Sequence, residues 1–392
     1  MTRTNQPELP GIQPRRTTPQ AVANAFDAGR LTQARQLKAM TKKQLAELLG
    51  VSPAAVGQYE TGTSKPRPEL IPTLAAALDQ LPEFFLAGRP HGKVDSSMAH
   101  FRSLRKTPSF RRDQAATYAG QVWELAHALE KRIQLPLVDL PGFSGGEVHS
   151  GTELPSDPVE AARALRQRWG LGPGPVRHLV RVLESHGIIV VVPPQPDEGN
   201  ATVDAFSTSR LPRPVVVLTA NRADNVYRHR FTAAHELGHL VLHGDVAPGD
   251  RLQEREANIF AAEFLTPRNE ILPLLPRRLD FARLAELQRQ WGVSVSSLIN
   301  RCRELELLSE ATITRAYRRL HDLAEQPGFK AESASLYEGE QPVMLHRAFQ
   351  LARTETGLSL ADLASELVWK RSRVRELLAI PEDPRPVLKL VT

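Results

Sequence analysis

Arg230-Phe-Thr-Ala-Ala-His235-Glu236-Leu-Gly238-His239-Leu-Val-Leu-His243 decides how the rest of the chain is read. It places His-Glu-x-x-His inside an apolar, Pro-free run. Residues four apart share one face of a helix, so His235 and His239 can offer two imidazoles to one ion. That bite suits tetrahedral Zn²⁺, and Glu236 beside it is placed to take a proton from a water activated by the metal. Phe231, Ala233, Ala234, Leu237, Leu240, Val241 and Leu242 supply a buried face for three or four turns of helix.

Three acids compete for the third ligand position. Asp245 lies ten residues after His235, but Leu242 stands where a turn glycine would be needed. Glu254 and Glu256 belong to Glu254-Arg-Glu256-Ala257-Asn258-Ile-Phe260-Ala-Ala-Glu-Phe264-Leu265-Thr-Pro267, which reads as a second helix stopped by Pro267. Glu254 and Asn258 are i,i+4 neighbours. Glu254 can bind the ion while Asn258 fixes a ligand histidine through its free nitrogen. Glu256 points elsewhere on that helix and reads as solvated or salt-bridged, so Glu254 is preferred.

These two motifs resemble those of the ImmA/IrrE family of bacterial and phage metallopeptidases, small gluzincin-like zinc enzymes. The resemblance covers roughly residues 100–310. It implies that the first Glu of the second motif, Glu254, is the third ligand and that the cofactor is Zn²⁺. The family's common Leu-Met-Pro ending is Leu265-Thr266-Pro267 here, away from the chemistry. Arg230, Tyr227 and His243 are candidate oxyanion partners.

The 392 residues are 41% hydrophobic and 24% charged, as expected of two or three globular domains. No apolar run approaches the roughly 18 residues of a membrane span, and residues 1–10 lack an apolar signal core, so a cytoplasmic protein is expected. A single cysteine, Cys302, excludes an internal disulfide and a cysteine zinc cluster. It reads as a buried small hydrophobe. Net charge is +6, but residues 1–112 hold 17 Lys and Arg against 8 Asp and Glu, a balance of +9. The basic end is the part expected to meet a polyanion.

Residues 1–20, rich in Pro, Thr and Arg, read as a disordered tail. Residues 21–88 are helical. Thr41 caps Lys42–Leu49, Gly50 ends that helix in a left-handed turn, and Ser52 with Pro53 starts the next, a helix-turn-helix. This stretch, with Val56, Tyr59-Glu60-x-Gly62 and the helix around Leu70–Leu78, resembles the XRE (Cro/cI-like) DNA-binding family. The resemblance implies a major-groove reading helix whose base-facing positions are Ser52, Ala54, Ala55 and Gln58. Gln58 can pair with adenine; the alanines offer methyl contacts to thymine. Lys42, Lys43, Lys65 and Arg67 are the expected phosphate contacts.

Residues 89–112 read as a basic linker and 113–310 as the peptidase domain. The latter opens on a helix at Gln114–Gln134 and holds three β-rich runs, Ile188–Val192, Thr202–Phe206 and Pro214–Leu218. They predict a small, three-stranded sheet under the zinc helix, with an edge strand that pairs with extended substrate. Asp280–Trp291 and Ser294–Leu305 form a helix pair around Gly292 that reads as scaffold. Residues 311–392 are mostly helical. Ser359–Leu367 echoes Thr41–Leu49 at an offset of 318 residues, with Val368 in place of the turn glycine, so this end reads as a degenerate helix-turn-helix, a sensor module or an ordinary hairpin.

The fold class expected is therefore multidomain: an all-α N-terminal helix-turn-helix, an α+β gluzincin-like metallopeptidase domain and a helical C-terminal region. The function expected is a DNA-binding zinc endopeptidase in transcriptional regulation. The family resemblance implies an XRE-type repressor as the protein substrate in a stress, DNA-damage or phage-related response; a homodimer is also weighed. The alternatives are a non-proteolytic transcription factor whose zinc fold senses a metal or small ligand, and an antitoxin-like interaction protein.

Overall fold

The computed structural model describes residues 17–95, 100–101, 108–143, 145, 154–193, 205–219, 225–244, 251–323, 329, 333–334 and 336–381. Most of the expected tail, and Asp245, lie outside them. The chain divides into two compact units, Met1–Arg89 and Pro90–Thr392.

In the first unit, α1 (Pro19–Asn24), α2 (Ala28–Leu37), α3 (Lys42–Leu49), α4 (Pro53–Thr61) and α5 (Leu70–Ala77) enclose Val22, Leu31, Leu45, Val56, Ile71 and Leu74, all fully buried. Helix α1 starts inside the stretch read as tail, because Thr18 caps it and Pro19 suits its first position. Thr41 and Gln44 form a capping box at the start of α3. Gly50 follows at φ 65°, a left-handed position where a side chain would be strained, and Ser52 caps α4. The buried guanidinium of Arg35 grips Glu60 (Nη2–Oε2, 3.1 Å) and the Met40 carbonyl, so Tyr59-Glu60 owes its glutamate to folding.

The second unit is built on one sheet. Strands β1 (His100–Phe101), β2 (Ile189–Val191), β3 (Phe206–Thr208) and β4 (Val215–Val217) lie in the order β1-β3-β4-β2. β2 and β4 are parallel, β3 is antiparallel to β4, and β1 is antiparallel to β3. Two expected strands fall in place. Of the middle one, Thr202–Phe206, residues 202–204 lie outside the described residues; the strand seen is Phe206–Thr208, which runs on through the buried Ser207 and Thr208 because the apolar pattern cannot announce buried hydroxyls. The fourth strand comes from the stretch read as linker. Gly92, in the same stretch, also joins this unit: it donates to Glu124, and its carbonyl lies where a Gly120 side chain would be.

Helix α6 (Ser109–Glu130) begins five residues before the expected Gln114. Helices α7 (Pro158–Arg168) and α8 (Leu179–Ser185) precede β2, and α9 (Val226–Leu242) lies against β3 and β4. The widest helix contact of α9 is with α10 (Arg251–Leu265). Gly238 permits it: a Cβ there would sit 3.1 Å from Phe260 Cδ1 and 3.2 Å from Ala257 Cα. Behind them come α11 (Arg268–Ile271), α12 (Phe281–Trp291), α13 (Val295–Glu304) and α14 (Glu310–Leu323). Cys302 is fully buried in this core, and burial pushes its thiol up to about 11.

The last helices, α15 (Met344–Thr356), α16 (Leu360–Leu367) and α17 (Arg371–Leu377), follow the order and turn geometry of α2, α3 and α4. Ser359 and Asp362 repeat the capping box, and Val368 takes the left-handed position of Gly50 at φ 54°. The Trp369 amide bonds to the Ala364 carbonyl as Val51 does to Ala46. The outer face differs. Arg373, at the position of Ala55, donates to Gln121 at 2.9 Å and stacks over Tyr118, both on α6. Glu366 pairs with Lys131 and Arg132 near the end of α6.

Candidate metal centre and DNA-contact face

Helix α9 carries His235, Glu236 and His239 on its buried side, and α10 brings Glu254 across. The His235 and His239 Nε2 atoms are 3.1 Å apart. The Glu254 carboxylate lies 3.5 Å from the first and 3.3 Å from the second. Three donors at about 2.0–2.1 Å from one tetrahedral ion are separated by about 3.3 Å, so the triangle has the right size.

Proton placement makes the same point. Asn258 donates through Nδ2 to the Glu254 carbonyl at 2.7 Å, which turns its Oδ1 towards His235 Nδ1 at 3.1 Å. His235 Nδ1 must then be the donor, and a neutral ring is left with a lone pair on Nε2. On the other side Glu256 accepts from His243 Nε2 at 2.8 Å, and His243 Nδ1 faces His239 Nδ1 at 3.2 Å. Burial lowers the His243 pKa despite Glu256, which favours the neutral ring, with Nδ1 free to accept from His239. His239 also keeps a lone pair on Nε2. Two lone pairs and an anion thus point at one spot, an arrangement that repels itself until a cation fills it.

Glu236 is turned to the sheet, where Ser207 Oγ donates to its Oε2 at 2.8 Å. Both residues are fully buried. Sequence reasoning missed Ser207, which lies in no motif. The reading of Glu256 as solvated or salt-bridged named no partner; that partner is His243. The oxyanion candidates have other duties. Arg230 is buried and bonds Glu340, the Val176 carbonyl and the Gly292 carbonyl (2.8 Å). His243 is engaged as above, and Tyr227 packs with Ala334. Glu263, also in the second motif, binds Arg163 at 2.8 Å and Arg301, fastening α10 to α7 and α13.

In the first unit, Ser52, Ala54 and Gln58 are exposed on α4 and Ala55 is half-buried. The Ser52 hydroxyl accepts from the Ala55 amide at 3.1 Å as the helix cap. Lys42, Lys43, Lys65 and Arg67 are all exposed. Lys42 leans on Glu60 at 3.4 Å and Lys65 on the Asn24 carbonyl.

Among the described residues no helix is long and apolar enough to cross a membrane. Residues 183–303 match the family model of the IrrE N-terminal-like domain (Peptidase_M78), and residues 31–85 match that of the helix-turn-helix family HTH_3. Over 96 residues the chain is 38% identical to the radiation response metalloprotease IrrE of Deinococcus radiodurans. That match spans 21% of this chain and 29% of the relative. The chain thus joins a helix-turn-helix DNA-binding domain to an IrrE-like metallopeptidase domain.

Proposed function

We propose that the protein is a zinc-dependent endopeptidase that carries its own DNA-binding domain and regulates transcription by cutting an XRE-type repressor. The observation that carries this reading is the convergence of His235, His239 and Glu254 beside a Glu236 held by Ser207. Two imidazoles and one carboxylate are a catalytic zinc set, with a fourth position for solvent or substrate. Zinc, when bound, supplies Lewis acidity that polarises a peptide carbonyl and makes water a better nucleophile.

The chain's own residues do the rest. Glu236 takes the proton of the attacking water on a carboxylate oxygen and returns it to the leaving amine. Ser207 keeps that carboxylate aimed. Asn258 and the His243–Glu256 pair hold the two imidazoles with their Nε2 lone pairs presented. Glu254 is a third exposed while the histidines are buried, so the cluster meets solvent, and substrate, on the Glu254 side. Gln58, Ser52, Ala54 and Ala55 read the groove, with Lys42, Lys43, Lys65 and Arg67 on phosphates. DNA as a partner places the work in the cytoplasm, and a repressor of the same helix-turn-helix class would be met at a shared operator or in a mixed dimer.

Wild type and Glu236→Gln, expressed with each candidate repressor, test this. Zinc in both proteins with cleavage by wild type alone is expected, because the substitution removes the base and leaves the ligands. A second reading, a non-proteolytic sensor, draws on a cavity of about 310 Å³ lined by Phe231, Thr266, Arg301, Tyr317 and Asn258, the residue that orients His235. Normal operator control by Glu236→Gln protein would favour it.

A further inference from the structure

β3 is the strand beside the carboxylate that does the proton transfer, since Ser207 holds Glu236 from its centre. It runs against β4, while β4 and β2 run together, so β3 closes a parallel pair with a reversed strand. An outer edge of this kind carries alternate N–H and C=O groups facing away from the sheet, and an extended peptide adds there by strand pairing. In this protein that edge is taken. β1 lies antiparallel along it, with residue 100 opposite Ser207 and residue 101 opposite Phe206. The backbone across from the residue that positions Glu236 therefore belongs to the chain itself.

Two further observations bear on what this strand does. Among the described residues β1 pairs with β3 at two positions, one of them Ser207 itself. It also lies outside residues 183–303, in the stretch leading from the DNA-binding unit to α6. A tethered strand is held in place by high local concentration, and a free polypeptide supplied in excess can compete with it.

We infer that β1 occupies the place of substrate on β3, an internal competitor that extended polypeptide must displace before its scissile bond reaches Glu236. The inference rests on the peptidase reading. It makes the substrate class a protein segment that is unfolded or unfolds locally over several residues, rather than a folded surface loop.

The test uses the zinc-loaded full chain and fluorescein-labelled casein as the extended probe. The double variant His100→Pro/Phe101→Pro removes both β1 amide donors, whichever of them faces β3. Casein cleavage should rise on the order of tenfold as the tethered competitor is lost. Amide exchange over residues 206–208 should speed up with zinc content unchanged, and a synthetic peptide of residues 94–108 should slow the variant again. In a chain altered only at Glu236→Gln, unlabelled casein should accelerate exchange at residues 100–101, a readout independent of the prolines. Equal cleavage by wild type and double variant, or residues 100–101 staying protected under saturating casein, overturns the inference while leaving an active peptidase. No cleavage by either zinc-loaded protein overturns the peptidase reading and the inference with it.

Discussion

Gly238→Ala tests whether the approach of α9 to α10 sets the metal geometry. The new methyl carbon would lie 3.1 Å from Phe260 Cδ1, 3.2 Å from Ala257 Cα and 3.3 Å from the Ala257 carbonyl oxygen. Two of these three atoms are backbone, so α10 must retreat by a few tenths of an ångström. Opposing terms are at work. Alanine favours a helix interior over glycine by about 1 kcal/mol, while overfilling a packed contact costs about 1–3 kcal/mol. The net loss expected is up to about 2 kcal/mol, a fall of several degrees in melting temperature for a unit of this size. The sharper effect is on metal. Glu254 lies one turn before Ala257, so the retreat carries its carboxylate away from imidazoles that it faces at 3.3 and 3.5 Å. A disturbance of ligand placement on this scale should weaken zinc affinity about 10–100-fold. Competition with a chelator measures the affinity and calorimetry the melt. A variant that melts higher and holds zinc as tightly as wild type would refute the argument.

Other outcomes follow from the same contacts. Asn258→Ala removes the acceptor that orients His235, and chelator competition should show zinc binding about 10–100-fold weaker; unchanged affinity would mean that α9 alone orients the ring. Glu184 is held up at about 7 by burial, although it accepts the Val343 and Met344 amides at the start of α15. The folded state therefore binds this proton more tightly than the unfolded chain, whose value is 4.5. The resulting stability is whole below pH 4.5 and is lost as pH rises through 7, by at most about 3 kcal/mol. Denaturant titrations from pH 4.5 to 8 should show the decline, and Glu184→Gln should flatten it. Lys43→Gln and Arg67→Gln should each reduce the salt slope of operator binding by about 0.9, and an unchanged slope would remove that residue from the phosphate contacts.

Much of the site was legible because its logic is local. The i,i+4 spacing of His235 and His239, and of Glu254 and Asn258, places each pair on one helix face whatever the tertiary fold. Caps and turns were equally open to reading: Thr41 with Gln44, Gly50, and Ser52 before Pro53 announce α3 and α4 by chemistry confined to a few residues. Ser207 was invisible because a buried serine in a short strand looks like any loop serine until α9 lies over it. The partner of Glu256 went unnamed because His243 stands thirteen residues away on another helix. Arg230, weighed for catalysis on the strength of sequence proximity, is turned inward by Glu340, 110 residues further on.

The amino-acid sequence by itself determined the helix-turn-helix, the two helices that carry the candidate ligands and the kind of ion such donors suit, since periodicity, capping and donor chemistry act within a turn or two of chain. Only the tertiary structure decided how closely Glu254 approaches the histidines, what holds Glu236, and that β1 lies on the edge of β3. Those depend on where distant segments meet, and that is set by the packing of whole faces: a glycine at 238 that lets α10 close in, and a sheet whose order, β1-β3-β4-β2, departs from the order of the chain.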